Sequence, residues 1–443
     1  MQTVGESRLA VRFVRTWALS AFIALAFAVC VNALVDPHGL VRWVDAPGFN
    51  AIKPRAIQEI EAFKYRAIDA FRPKALILGN SRAEMGWNPE IVNRAGLGPT
   101  VNAAIPGRGL DAMAPLADYA WHVSRPATLI VGAEFFDCLV SGAAPAAAVA
   151  SAVSPWSRPA EGPRGRIARM RLFVPDLFSF DTLTDSVRTV LAQRNAVAPH
   201  LRADGFQSAR EYPDYLRVDG PRKMFLQRDH DYIARRIDGP KSVRFDGGVP
   251  APCFQELAAI LEQATVREQR VFVATYPFHV RLLETISALG LWPAYQDWKA
   301  EVVRTVDAAR ARGAQIELRD FSGFHRYAQD RLPPDGQRVP APEWYWESGH
   351  FKSVLGAHML EIMLGRRPAE GSFGATLTGA NLDAHAAALE QEKLGFEAGH
   401  PELVMEIRRL VAAHAPRVPV ESGSRLRGDD RPLAGSIVPS STN

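Results

Sequence analysis

A serine follows the first buried strand that the sequence predicts. The segment ALILGNSRAEMGWNP, residues 75–89, passes from four apolar residues into a Gly-Asn-Ser-Arg turn, so Ser81 stands where the strand ends. At the carboxyl edge of a parallel sheet, loops and helix N-termini gather around ligands. A serine hydroxyl there can act as a nucleophile if a base lies within hydrogen-bond reach and a third group holds that base. The alternative is a serine that only caps a turn or a helix.

A histidine and an acid late in the chain supply the base and its partner. In WESGHFKSVLG, Glu347 stands three residues before His350, just ahead of a predicted helix. That separation lets the carboxylate fold back onto Nδ1 of the imidazole and leaves Nε2 to accept the serine proton. The sequence therefore predicts a triad of Ser81, His350 and Glu347. Ala83 occupies the place of the second glycine of a GxSxG motif, which argues against the α/β-hydrolase arrangement.

Short apolar runs alternate with helical patterns along most of the chain. The runs that predict strands cover residues 74–79, 100–105, 127–136, 270–278 and 315–321. This alternation predicts an α/β fold with a doubly wound parallel sheet and helices on both faces. Residues 142–250 interrupt the alternation and predict a long helical and loop insertion, including a helix at 181–194. We interpret this insertion as a candidate lid over the sheet edge.

The N-terminal segment has the composition of a membrane anchor. Residues 16–35 carry no charge, and roughly 20 apolar residues suffice to cross a bilayer. Arg8, Arg12 and Arg15 precede them, which predicts a cytoplasmic tip and a main domain outside the cytoplasm. Cleavage after Ala33, as in a signal peptide, is the alternative and would release a soluble secreted protein. We expect the anchor to be retained.

Composition limits the remaining possibilities. The net charge is only +4 over 443 residues, and no Lys/Arg run indicates a nucleic-acid partner. No metal-ligand motif such as CxxC or HExxH is present, so we expect neither a metal nor another cofactor. Cys138 and Cys253 could form one bridge in an oxidising compartment, although their spacing does not require it.

The chain divides into three predicted segments. Residues 1–35 form the cytoplasmic tip and the anchor, and residues 36–365 form the α/β domain that carries the insertion. Residues 366–443 are expected to contribute a peripheral helix and then a disordered tail, because the end of the chain is rich in Ser, Gly, Arg and Pro.

Five blocks in chain order resemble those of SGNH/GDSL-type hydrolases. They are LGNSRAEMGWNP, VNAAIPGRG, LIVGAEFFD, TYPFHVRLLE and ESGHFKSVLG. The closer resemblance is to membrane-anchored, extracytoplasmic members related to the alginate O-acetylation proteins and the teichoic-acid D-alanylation protein. It covers about residues 36–364 and implies a flavodoxin-like three-layer fold. It also implies that Ser81 is the nucleophile, that His350 is the general base and acid, and that Glu347 orients His350 where the family more often has Asp.

The resemblance further implies an oxyanion hole, with one departure from the family pattern. The backbone donors would be Ser81, Ala104 (in the glycine position of an Asn-x-Gly context) and Gly107. Glu134 stands where the family has an oxyanion-stabilising Asn. An ionised carboxylate at that place would repel a tetrahedral oxyanion, and loss of one donor can cost roughly a hundredfold in rate.

Further side chains are candidates for substrate contact. They are Arg82, Asn102, Glu134, His279 and Trp346. Each has a structural alternative: Arg82 could pair with an acid at the sheet edge, Glu134 could cap a helix, and most tryptophans belong to a core.

These observations predict a single-pass inner-membrane protein with a periplasmic acyl-ester enzyme domain. By resemblance, it would be an O-acetyltransferase or an acetylesterase that acts on acylated cell-surface polysaccharide. A transferase would need an acyl donor, which the resemblance suggests is passed on by a multispanning membrane protein. The alternative is a non-catalytic binding or assembly factor that kept the fold and lost the oxyanion hole.

Overall fold

The structure is a computed structural model that describes residues 2–143, 173–239 and 241–414, with side chains from residue 9 onward. Residues 144–172 of the predicted insertion lie outside the described ranges. The predicted disordered tail beyond residue 414 also lies outside them.

A six-stranded sheet forms the centre of the protein. Its strands are β1 (Ala75–Leu78), β2 (Thr100–Asn102), β3 (Thr128–Ala133), β4 (Arg270–Thr275), β5 (Ile316–Asp320) and β8 (Ala375–Thr376), while β6 (Tyr345–Glu347) and β7 (His350–Phe351) form a separate antiparallel hairpin. The sheet order is β2-β1-β3-β4-β5-β8, and every pairing is parallel except that of β5 with β8. This confirms the predicted α/β class and mostly parallel sheet. The strand order reverses between β1 and β3, as in doubly wound sheets.

Helices cover the sheet on both sides. They are α1 (Gln2–Val35), α2 (Ile60–Phe71), α3 (Ser81–Gly86), α4 (Pro89–Val92), α5 (Leu110–Ser124), α6 (Phe180–Ala192), α7 (Tyr212–Asp219), α8 (Pro221–Ala234), α9 (Pro252–Val266), α10 (Val280–Ala288), α11 (Trp292–Arg310), α12 (Ser353–Met363), α13 (Leu382–Gly399) and α14 (Pro401–His414). Helices α2, α5, α9 and α11 pack side by side in one layer, while α3 and α4 pack with α12. Right-handed crossovers place these two layers on opposite faces of the sheet.

The strands end earlier than their apolar runs suggested. The first strand, β1, is fully buried, as expected for a central parallel strand covered on both faces. In contrast, β2 was expected to reach residue 105 but ends at Asn102, although the amides of Ala103 and Ile105 still donate to the carbonyls of Ile77 and Gly79 at 2.8 and 3.0 Å. The Ala104 amide donates instead to the Asn102 side chain at 3.1 Å, a local hydrogen bond typical of the turn after a strand.

The C-terminal region extends the domain rather than lying apart from it. β8 adds a sixth strand, and two helices follow where we expected one peripheral helix. The His385 side chain of α13 lies 2.7 Å from Asp320, which also pairs with Lys299 at 3.0 Å. The region is therefore joined to the sheet through a buried charge cluster.

The described part of the insertion and the N-terminal apolar segment both form defined elements. The predicted helix at 181–194 is confirmed as α6, and a disulfide joins Cys138 to Cys253 across the insertion. Of the described helices, the segment Leu9–Val35 within α1 is long and apolar enough to cross a membrane, and a window of 18 residues within it has a mean hydropathy of 2.4.

Candidate active site

Ser81 opens a short helix directly after the first strand. The Asn80 side chain caps α3 by accepting a hydrogen bond from the Arg82 amide at 3.1 Å, so the helix begins at Ser81. Gly79 allows the tight approach, because a Cβ at that position would lie 2.3 Å from the Tyr276 hydroxyl oxygen. The local sequence thus presents the serine at the carboxyl edge of the sheet.

Close helix packing brings the two distant parts of the site together. Helix α3 packs against α12 and β7. At this contact a Cβ on Gly356 would lie only 1.9 Å from the Gly86 carbonyl oxygen, and a Cβ on Gly86 would overlap the Phe351 ring. Two glycines therefore set the distance between the segment that carries the serine and the segment that carries the histidine.

The three predicted triad residues form one chain of hydrogen bonds. Ser81 Oγ lies 2.7 Å from His350 Nε2, although 269 positions separate the two residues. On the other side of the ring, Nδ1 of His350 contacts Glu347 Oε1. The hairpin of β6 and β7 pairs Glu347 directly with His350. This order of contacts is the geometry in which an imidazole can activate a hydroxyl.

Glu347 is held as a buried anion. Burial alone would raise the pKa of its carboxyl, but His350, Arg228 and the Gly349 amide together lower that pKa to about 2. The other carboxylate oxygen, Oε2, accepts from the Gly349 amide at 2.8 Å and lies 3.2 Å from Arg228 Nε. The ionised carboxylate therefore fixes the orientation of the imidazole ring near neutral pH.

Glu134 and Arg82 form a buried ion pair beside the serine. Arg82 Nη1 contacts Glu134 Oε2, and the same oxygen accepts from Asn80 Nδ2 at 3.1 Å. The other oxygen accepts from the Phe136 amide at 3.1 Å. Burial lowers the pKa of the Arg82 guanidinium, but Glu134 and other neighbours outweigh it, so that pKa is raised. The structural alternative that we considered for Arg82, an ion pair at the sheet edge, is what the structure shows.

Two residues of the second block do not reach the cleft, which corrects their expected roles. The Ala104 amide, expected as an oxyanion donor, instead donates to Asn102 Oδ1. Asn102, expected to contact substrate, is fully buried and donates to the carbonyls of Ala83 and Trp87, each at 2.9 Å. Both residues shape the turn around α3 instead.

His279 and Trp346 also lie away from the cleft. His279 is buried, caps α10 through Nδ1 and lies 2.8 Å from the Asp330 carbonyl through Nε2. Burial lowers the pKa of this imidazole to about 3. The Trp346 ring packs on the Tyr212 ring, with 5.2 Å between the ring centroids, and Lys352 Nζ lies 4.7 Å from the centroid of the Trp346 ring. His279 is thus fully buried and Trp346 half-buried, and neither lines the cleft over Ser81.

A cleft of about 270 Å³ opens over Ser81 and His350. Gly107 lines it in a left-handed conformation, with φ +69°. One wall comes from the insertion, through side chains of α8 and the turn that follows it. These wall residues are Arg228, Asp231, Tyr232, Arg235 and Arg236.

Sequence reasoning missed two of these wall residues that touch the site. Arg228 contacts Glu347, and the Tyr232 hydroxyl accepts from Arg82 Nη2 at 2.5 Å. Neither belongs to a recognisable motif. The only signal for them in the sequence is the insertion itself, which lies between β3 and β4 and which we interpret as a candidate lid.

Comparison with known proteins does not identify a family for this site. The chain matches no protein-family model and no curated protein. Among the described residues, no group of three or more His, Cys, Asp or Glu side chains could hold a metal ion.

Proposed function

We propose that the protein is a membrane-anchored serine enzyme of acyl-ester chemistry, an O-acetyltransferase or acetylesterase acting on cell-surface polysaccharide. The observation that carries the proposal is the 2.7 Å contact between Ser81 Oγ and His350 Nε2, with Glu347 on the opposite ring nitrogen. The contact lies in an open cleft at the carboxyl edge of the sheet. The polysaccharide and the acetyl group rest on the resemblance to SGNH-type proteins.

In the proposed reaction, Ser81 Oγ attacks the acyl carbonyl carbon while His350 Nε2 takes the serine proton. Collapse of the tetrahedral intermediate breaks the donor ester bond, and the departing alkoxide takes the proton from His350. Water or an acceptor hydroxyl then gives its proton to His350 and attacks the acyl-serine. The serine oxygen leaves and recovers the proton. Glu347 stabilises the imidazolium in both halves.

The oxyanion would be stabilised by backbone donors near the serine. The Ser81 amide, at the first position of α3, and the Gly107 amide on the cleft wall are the candidates. Glu134 contributes no donor, but Arg82 neutralises its carboxylate, which removes the repulsion expected from the sequence. This arrangement supports slow or specialised turnover, because fewer donors stabilise less charge.

The proposed location is the outer side of the inner membrane. Three arginines precede the apolar helix, which favours a cytoplasmic N-terminus. The Cys138–Cys253 disulfide supports an oxidising compartment. Whether water or a sugar hydroxyl completes the reaction depends on how well the α8 wall excludes water. A transferase would receive its acyl group from a multispanning membrane partner.

Activity-based labelling tests the proposal. The full chain in detergent is treated with a serine-reactive fluorophosphonate and assayed with nitrophenyl acetate. We expect labelling and hydrolysis in the wild type and a loss of both in Ser81→Ala. Ser353→Ala is the matched control, because Ser353 also occupies the first position of a helix, α12. Equal labelling of wild type and Ser81→Ala would contradict the proposal.

A non-catalytic binding factor is the second candidate. Glu134 favours it, because a carboxylate occupies the place where the resembling hydrolases have a donor side chain. If the wild type shows neither Ser81-dependent labelling nor hydrolysis while it still binds acetylated polysaccharide, the cleft is a binding site rather than an active site.

A further inference from the structure

Helix α6 has its polar side inside and its apolar side outside. Its buried face consists of Thr182, Asp185, Ser186 and Thr189. In contrast, Phe180, Val187 and Leu191 are 75%, 53% and 73% exposed. A helix on the surface of a soluble domain normally shows the opposite arrangement, because its apolar stripe packs on the core.

Specific contacts hold the helix in this orientation. Ser186 Oγ donates to Asn32 Oδ1 in α1 at 3.1 Å, and Arg55 Nε lies 3.1 Å from Asp185. Asn32 in turn donates to the carbonyls of Leu177 and Ser179 at 3.0 and 3.1 Å. Turning the apolar face inward would break all of these contacts. The outward apolar stripe is therefore a fixed feature of the fold.

The helix lies at the end of the apolar anchor. The part of α1 that is buried against the domain runs from Ala28 to Val35, which places α6 within about 10 Å of the end of the helix. The uncharged segment, residues 16–35, has 20 residues, about 30 Å of helix, which matches a hydrocarbon core of about 30 Å. A membrane crossed by α1 therefore has its outer boundary at the level of α6.

Other exposed apolar side chains lie in the loop after α1 and in the segment just before α6. Trp43, in the loop after α1, is 70% exposed, and Phe178, between the two carbonyls bonded by Asn32, is 51% exposed. Tryptophan favours the interface between lipid and water. Arg188 and Asp181 flank the apolar stripe of α6 on its exposed polar side, as in helices that lie in a membrane surface.

We propose that α6 is a second membrane element, whose apolar face of Phe180, Val187 and Leu191 lies in the outer leaflet of the bilayer that α1 crosses. The lipid bilayer is the occupant because α6 packs on α1, whose Phe27 and Leu34 side chains near this contact are also exposed, at 66% and 51%. Together with the anchor, α6 fixes the orientation of the α/β domain on the membrane instead of leaving it on a flexible tether. This inference rests on the proposed location of the domain outside the cytoplasm but not on the proposed reaction.

Site-specific quenching in proteoliposomes tests the inference. A Cys30→Ser background keeps the disulfide and removes the free thiol. A fluorophore is attached at Leu191→Cys or, as a control, at Val266→Cys, which is 81% exposed at the end of α9. We expect phosphatidylcholine with a nitroxide on its acyl chain to quench the Leu191 label several-fold more than the Val266 label. Aqueous iodide should show the reverse preference.

Two results would overturn the inference. If iodide quenches both labels equally, the face of α6 lies in water. If neither quencher reaches the Leu191 label, protein covers the face, whether residues 144–172, a second copy of the chain or another membrane protein. Thermal unfolding of the labelled variants verifies that each one is folded before the comparison is made.

Discussion

At the residue scale, Glu134 is tolerated in the cleft because Arg82 lies against it. An unpaired buried carboxylate would cost several kcal/mol. Arg82 neutralises it and also donates from Nε to the Gly349 carbonyl at 2.7 Å. That carbonyl belongs to the turn between Glu347 and His350. The ion pair therefore joins the helix that carries the serine to the hairpin that carries the histidine.

Removing one member of this pair should destabilise the protein strongly. Arg82→Met leaves the Glu134 carboxylate buried without its guanidinium, and we expect the free energy of unfolding to fall by about 3–5 kcal/mol. The double variant Arg82→Met/Glu134→Gln has neither the guanidinium nor the carboxylate charge. We therefore expect its free energy of unfolding to fall by about 1–3 kcal/mol less than the sum of the decreases in the two single variants. Urea unfolding of the detergent-solubilised chain measures both quantities.

An exposed ion pair provides the control for this measurement. Arg217 pairs with Asp214 at 2.6 Å, but its side chain is 71% exposed, and such pairs contribute about 1 kcal/mol or less. Arg217→Met should therefore change the free energy of unfolding only slightly. Strict additivity of the Arg82 and Glu134 variants would show that the two charges are not coupled.

At the scale of elements, helix α8 ties the insertion to the site. Besides Arg228 and Tyr232, it carries the buried Asp229, which accepts from Arg281 Nε at 2.7 Å. Helix α8 packs on β6, α10 and α14. Because its contacts reach three parts of the domain, the α8 wall is a fixed part of the site. Ion pairs of Asp229 and Arg228 therefore hold this part of the insertion beside the open cleft.

Arg228 should act as a positioning residue for the triad acid. Without its guanidinium, Glu347 holds the imidazole less firmly, so we expect Arg228→Met to lower kcat roughly 10–100-fold with little change in KM. Arg228→Lys should restore part of kcat. Arg222→Met is a matched control, because Arg222 lies on the same helix with 30% side-chain exposure against 31% for Arg228. A rise in KM alone would instead make Arg228 a substrate contact.

The same variant has a predictable dependence on pH. Folding lowers the pKa of Glu347 from 4.5 to about 2. Its stabilising contribution is therefore present above pH 4.5 and is lost as the pH falls toward 2. Arg228→Met raises the folded pKa, so the variant should be less stable than wild type at pH 6, and the difference should narrow toward pH 2. A difference that does not change with pH would exclude this explanation.

The sequence predicted elements better than contacts between them. The five parallel strands and the order of Ser81, Glu347 and His350 followed from apolar runs and from one short spacing. The hydrogen bond from the Ala104 amide to the Asn102 side chain could not be predicted in this way, because it depends on how side chains bond after a strand end. The Arg228 contact with Glu347 was equally hidden, since α8 reaches the site only through the tertiary fold.

At the scale of the whole molecule, the end of the apolar helix α1 is built into the domain. Asn50 donates to the carbonyls of Leu34 and Val35 at the end of α1, each at 3.1 Å, and Lys53 donates to the Val35 carbonyl at 3.1 Å. Cleavage after Ala33 would also remove Asn32, which holds α6. These contacts favour a retained anchor, because a domain released by cleavage would lose part of its own packing.

The disulfide closes the insertion onto the sheet and should be the largest single covalent stabiliser. It joins positions 115 apart, Cys138 after β3 and Cys253 in the first turn of α9. Closing a loop of about 100 residues lowers the entropy of the unfolded chain by the equivalent of about 4–5 kcal/mol. We expect Cys138→Ala/Cys253→Ala, or wild type with reductant, to unfold at a clearly lower urea concentration. Cys30→Ser, at an exposed position of α1, should leave the midpoint unchanged. An unfolding midpoint that reductant does not shift would show that packing alone holds the insertion in place.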